Sequence, residues 1–241
     1  ITQGLTTAFI DHTVSSNLAY RPQFVSNNYK EGRKVISSIE DELLSCEQFA
    51  ISVAFITMSG ITPLHQTLKE LEKRGIPGRI LTTDYLTFSD PKALRKLEEF
   101  SNLHVKMYVT DQTEEGFHTK GYIFKKEEMY RIIVGSSNMT LSALTVNREW
   151  NTRIVSTEQG EYAQSVLTEF EDLWNSPQAI EFEQFIDSYT ENYTRNKIIR
   201  KQKELARQEQ IPSLEAYRLQ PNSMQTGFIN NLQKIYDTGE D

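Results

Sequence analysis

FHTKGYIFKKEEMYRIIVGSSNMTLSALTVNREWNTRI, Phe117 to Ile154, decides how the rest of the chain is read. In FHTKGYIF, residues two apart share one face of an extended strand, so the His118 imidazole and the Lys120 ammonium project together. The polar KKEE after Phe124 predicts a hairpin tip. MYRIIVG then predicts a β-branched return strand ending at Gly135, where the backbone is free to turn. That turn delivers Ser136 and Asn138 near the imidazole. A third extended run, EWNTRIV, sets Glu149, Asn151 and Arg153 on one face, with a carboxylate placed to orient the histidine from behind. Such a set makes a phosphate site from protein groups, without a metal.

Taken in order, H-x-K (His118, Lys120), G-S-x-N (Gly135, Ser136, Asn138) and N-x-E (Asn147, Glu149) resemble the phospholipase D superfamily. The closer resemblance is to the phospholipase D-like nuclease domain at the front of bacterial superfamily 2 helicases and some restriction enzymes. The flanking layout fits that domain from Asn28 to Trp174. The superfamily's full motif carries an Asp five residues after the Lys, where this chain has Lys125; the resemblance implies Glu149 as the substitute. It also implies an α/β fold, a mixed sheet flanked by helices with a helical C-terminal extension, and a metal-independent phosphodiesterase acting on DNA.

The roles implied by that resemblance are specific. His118 serves by turns as nucleophile, forming a phosphohistidine, and as general acid. Lys120 and Asn138 bind the oxyanion, Ser136 adds a hydrogen bond, and Glu149 accepts from the imidazole and fixes its tautomer. Ser137, Asn147 and Asn151 line the substrate. No cofactor is implied; ATP and Mg belong only to a helicase domain absent from this chain. Two imidazoles are needed and one complete motif is present, so an isologous homodimer with a composite site is expected. Pairing of His104 with His118 within one chain is the alternative. Lys125 favours a competing reading, a catalytically inactive module that binds DNA or dimerises the helicase.

At 241 residues the chain accommodates one α/β domain and an appendage. Hydrophobic content of 38% and charged content of 24% fit a water-soluble chain, and no apolar run approaches the ~18 residues of a membrane span. A lipid phosphodiesterase and membrane insertion are therefore disfavoured. The single cysteine, Cys46, excludes an internal disulfide framework, and no leader is visible, so a cytoplasmic location is expected. The start at Ile1 reads as a fragment of a longer protein. A net charge of −7 disfavours indiscriminate coating of nucleic acid, leaving a local positive face of His118, Lys120, Lys125, Lys126 and Arg153.

Residues 1–27 read as an N-terminal arm, either a short helix or a docking segment. The pattern after Asn28 places Val35, Ile36, Ile39, Leu43 and Leu44 on one helical stripe. FAISVAFIT is a buried strand, and the turn at Ser59 and Gly60 before the next helix is a second, weaker phosphate hint. GRILTTDYL is a further strand; Ser89 or Asp90 caps the helix that follows, with Pro91 in its first turn. LHVKMYVT is an alternating strand whose His104 and Lys106 read as structural. Tyr162, Val166, Phe170 and Trp174 form the stripe of a helix stopped by Pro177, where the domain is expected to close. Residues 178–241 read as a helical linker toward a helicase ATPase domain, with FEQFIDSYTENY (Phe182 to Tyr193) packing and TRNKIIRKQKELARQEQ largely solvated. In its tail, Met224 and Gln225 resemble the approach to a superfamily 2 nucleotide site, but the chain contains no G-x-x-x-x-G-K-[ST] loop.

Overall fold

The computed structural model describes residues 21–110 and 116–210, the last five by backbone alone. The expected arm before residue 21 and the tail after residue 210, with Met224 and Gln225, lie outside the described residues. One compact unit extends to Asn196. From Lys197 a second unit begins, represented here by helical residues to Gln210, among which Ile198, Ile199 and Leu205 are exposed.

In chain order the elements are β1 (Gln23–Val25), α1 (Val35–Ser45), β2 (Gln48–Val53), α2 (Met58–Ile61), α3 (His65–Lys73) and β3 (Gly78–Thr83). They continue with α4 (Pro91–Glu98), β4 (Leu103–Tyr108), β5 (Lys120–Lys126), β6 (Met129–Gly135) and α5 (Leu141–Thr145). The last are β7 (Asn151–Thr157), α6 (Glu161–Asn175), β8 (Ala179–Glu181) and α7 (Phe182–Gln210). The strands form one mixed sheet in the order β1-β7-β6-β5-β2-β3-β4-β8. β2, β3 and β4 are parallel, and β5 runs antiparallel to β2. The expected mixed sheet with flanking helices is therefore present.

This topology gives the molecule a functional edge. Because β5 pairs antiparallel with β2, its first residue, Lys120, lies against Val53 at the C-terminal ends of the parallel strands. Ligands of open α/β sheets gather at such ends. Antiparallel pairing also returns β6 to the same edge, where Gly135 faces Asn151 at the start of β7. The hairpin tip is tighter than KKEE implied: Lys125 and Lys126 remain in the strand, Lys126 pairs with Met129, and Glu127 takes the left-handed turn at φ 54°.

β2 is buried at every position after Gln48, as a central strand covered on both faces must be. One face packs on α1, α3, α4 and the start of α7 through Ile39, Leu43, Leu71, Leu94, Phe185 and their neighbours. The other packs on α6 through Ile132, Phe170 and Trp174. Within α1, Val35, Ile36, Ile39 and Leu43 are buried as predicted, whereas Leu44 is exposed and Glu42 is buried in its stead. Glu42 turns inward because Arg153 and Arg131 reach it from β7 and β6. In α6, Phe170 and Trp174 are buried and Val166 is partly buried, whereas Tyr162 at the start of the stripe is exposed. Asp90 rather than Ser89 caps α4, accepting from the Lys92 N–H at 2.9 Å. Ser89 is buried, its Oγ accepting from the Ile56 N–H.

The compact unit does not close at Pro177. β8 adds to the sheet beside β4, and Phe182, Phe185, Ile186 and Tyr189 of α7 enter the core, so the residues after Pro177 belong to the domain as far as Asn196. Cys46, at the end of α1, is buried, and burial pushes its thiol up to about 11.

Candidate active site

His118 is exposed while both its neighbours are pinned. Phe117 is buried and stacks on Tyr108 with ring centroids 5.2 Å apart, and Thr119 Oγ1 meets Ser52 Oγ at 2.5 Å. The strand proper begins only at Lys120, so His118 sits in an extended lead-in rather than inside β5. Lys120 is 9% exposed, and its Nζ donates to the His118 carbonyl at 2.9 Å. One of three ammonium N–H groups is thus used, which leaves donors for an anion. Burial holds the Lys120 pKa below its ordinary value, opposed by the Glu149 carboxylate. Partial burial, and then the Lys120 charge, hold the His118 imidazole below its ordinary value as well.

The G-S-S-N turn is stitched to the end of β2. Met139 N–H donates to the Phe55 carbonyl and Thr57 N–H to the Met139 carbonyl, both at 3.0 Å. Asn138 Oδ1 accepts from the Phe55 N–H at 3.1 Å, which commits the amide oxygen and leaves Nδ2 as the donor. This seam is so close that a Cβ on Gly60 would lie 2.1 Å from the Met139 carbonyl oxygen. Gly60 belongs to α2, a single turn whose N-cap is Thr57, so the turn before α3 is filled by backbone of this chain. The Phe55 ring also stands edge-on to the His118 ring at 6.3 Å.

Glu149 accepts from the Ser136 hydroxyl, and Ser136 Oγ in turn accepts from the Trp150 N–H at 3.1 Å. Among the described residues no hydrogen bond reaches the His118 ring, so the direct Glu149–His118 contact expected from sequence is not formed within one chain. Glu149 instead faces the Lys120 ammonium electrostatically.

Two residues expected to line substrate are structural. Asn151 is buried; its Nδ2 donates to the Val25 carbonyl and to Ser137 Oγ, and its Oδ1 accepts from the Ser137 N–H. Ser137 is fully buried, and its carbonyl accepts from Tyr122 Oη at 3.0 Å. Asn147 is exposed, its carbonyl held by Asn27 Nδ2 at 2.7 Å. Asn27 also accepts from the Val35 N–H, clamping that loop to α1. Asn27 and Phe55 escaped the sequence reading because their contributions run through backbone contacts distant in sequence.

The expected positive face does not form. Arg153 donates to Glu42 at 2.6 Å on the α1 side, Lys125 pairs with Glu158, and Lys126 sits by the hairpin tip. Position 125, where the superfamily motif has its Asp, pairs with Gln48 at the far end of β5, five residues or about 17 Å from Lys120. His104 is engaged with Glu181 at 2.6 Å and Lys106 with the same carboxylate at 3.0 Å. His104 also lies near the N-terminal end of β4, across the sheet from His118, which removes the intramolecular pairing.

Comparison with known proteins agrees with this architecture. The family profile described as cardiolipin synthase, PLD-like domain matches residues 41–174. NucT from Helicobacter pylori shares 15% identity and a TM-score of 0.52 over 68% of this chain and 99% of its own. The phospholipase D family member Nuc from Salmonella typhimurium shares 18% identity and a TM-score of 0.51 over 67% of this chain and 99% of its own. Phosphatidylserine synthase from Haemophilus influenzae shares 15% identity and a TM-score of 0.51, over 76% of this chain and 46% of its own. No curated protein matches by sequence.

Proposed function

The chain belongs to the PLD-like domain family, and on that premise we propose that it is a metal-independent phosphodiesterase acting on DNA. The observation that carries this reading is the placement of His118, Lys120 and the Asn138 amide at one sheet edge, with the imidazole held below its ordinary pKa. A neutral imidazole is a nucleophile, and an ammonium beside an amide N–H stabilises charge on nonbridging oxygens.

In the reaction, a ring nitrogen of His118 attacks phosphorus and the bond to the leaving oxygen breaks. The second copy's imidazolium donates its proton to that oxygen. Water then attacks the phosphohistidine, giving up a proton to the same imidazole and restoring His118. That no hydrogen bond reaches the His118 ring among the described residues favours a homodimer whose second chain completes the site. The uncovered sheet face of Phe24, Val134 and Trp150 offers apolar area for such contact. Residues after Asn196 are read as a linker, and the pattern around Met224 and Gln225 supports a place ahead of a helicase or restriction motor. The inactive-module alternative loses its main support, because Lys125 lies far from the site.

The decisive experiment incubates the chain with DNA and with an activated diester in EDTA, beside His118→Ala. Hydrolysis in EDTA that the variant loses, from a chain that light scattering finds dimeric, is the expected result. Equal inertness of both proteins toward both substrates overturns the reading.

A further inference from the structure

Beside the candidate site, the segment after β3 holds two consecutive non-glycine residues in the left-handed region, Leu86 at φ 56° and Thr87 at φ 47°. This conformation is costly and persists only when the surroundings impose it. Here they do: Asn196 Nδ2 donates to Thr87 Oγ1, and Asp84 Oδ1 accepts from both the N–H and the hydroxyl of Thr110. The result is an outward display of apolar side chains, with Tyr85 41%, Leu86 51% and Phe88 42% exposed. Phe88 stands edge-on to Phe55 at 5.1 Å, and Phe55 edge-on to the His118 ring, so the display begins two ring contacts from the imidazole.

Charge on the sheet is arranged differently. Arg79, Lys106, Lys125, Arg131 and Arg153 each meet a carboxylate, which leaves Lys120 at the site and Lys126 at the hairpin end. Duplex binding draws on many phosphate contacts, whereas single-strand binders stack exposed bases on aromatic side chains. A paired base is already stacked on both faces and has none to offer.

We infer that Phe55, Leu86 and Phe88 form a wall that takes the unpaired base beside the scissile phosphate, so that the substrate is single-stranded DNA. This rests on the phosphodiesterase reading and names the strand it selects. The wall is one or two rings deep, which suits a planar base better than a pair of acyl chains.

The test uses His118→Ala, to hold DNA without cutting, and fluorescence anisotropy with one labelled oligonucleotide presented as single strand, as duplex, and as an abasic strand with the same phosphates. The expected result is binding of the single strand at least tenfold tighter than of the other two. Adding Phe88→Ala, or independently Leu86→Ala, should remove most of that margin. Duplex binding as tight as single-strand binding overturns the inference, as does a loss that falls equally on the abasic strand. Binding to phosphatidylglycerol vesicles that Phe88→Ala abolishes would assign the wall to lipid and also overturn it. Hydrolysis is scored separately, on the unaltered chain with bis(p-nitrophenyl) phosphate, which has no base. Failure there rejects the phosphodiesterase reading without touching the binding margin.

Discussion

His118 is held between two opposing demands: it must reach solvent to meet a phosphorus atom, and it must stay neutral to attack. Partial burial disfavours the imidazolium, and the Lys120 ammonium disfavours it further. NMR titration of the ring is therefore expected to give a midpoint below the ordinary imidazole value of about 6.5. Lys120→Met removes the repulsion and should move the midpoint upward; a midpoint that stays in place refutes the assignment. The sign for activity follows, since the attacking form is lost as pH falls through that lowered midpoint, so the acid limb of kcat/KM should lie at lower pH than a free imidazole would give. At this scale the sequence was partly legible. The spacing of His118 and Lys120 predicted their proximity, because period-two alternation fixes the face. It could not show that Ser137 and Asn151 spend their polar groups on each other, on Val25 and on Tyr122. Alternation names a face but not a partner.

Among the elements, the seam between β2 and the turn after β6 places the site. Phe55 touches Asn138 through its backbone and His118 through its ring, and Thr57 and Met139 close the seam. Gly60→Ala would force a methyl group into the Met139 carbonyl. The expected cost is about 1–3 kcal/mol of stability, read from urea unfolding. The loss of activity should be larger than that destabilisation explains, because Asn138 moves with the seam. An alanine variant with full stability and full turnover would show the approach to be dispensable. Strands were legible here from β-branched runs, and the glycine at the turn from its position. The seam was not, since it joins segments some eighty residues apart by backbone contacts that carry no side-chain signature.

For the molecule as a whole, the domain's end depends on residues that lie beyond the boundary expected at Pro177. β8 pairs with Lys106, Met107 and Tyr108 of β4, and Phe182, Phe185, Ile186 and Tyr189 fill the face over the parallel strands. Each buried apolar side chain contributes about 1.5–3 kcal/mol, and a domain's net stability is only about 5–15 kcal/mol. A chain ending at Pro177 is therefore expected to be unfolded or molten by near-UV circular dichroism, and one ending at Asn196 to retain a cooperative transition. A folded protein ending at Pro177 would contradict this. Pro177 looked like a boundary because proline stops a helix, but here it only redirects the chain into one more strand.

Cys46 carries the chain's lone thiol, buried at the end of α1 and kept protonated through the neutral range. Reaction with maleimides and similar reagents requires the exposed thiolate, so this group stays silent in the folded protein. A spin label or dye attached to a cysteine installed at Lys126 would then report from one place only. Distances between the two hairpins of the proposed dimer become measurable without first building a thiol-free background.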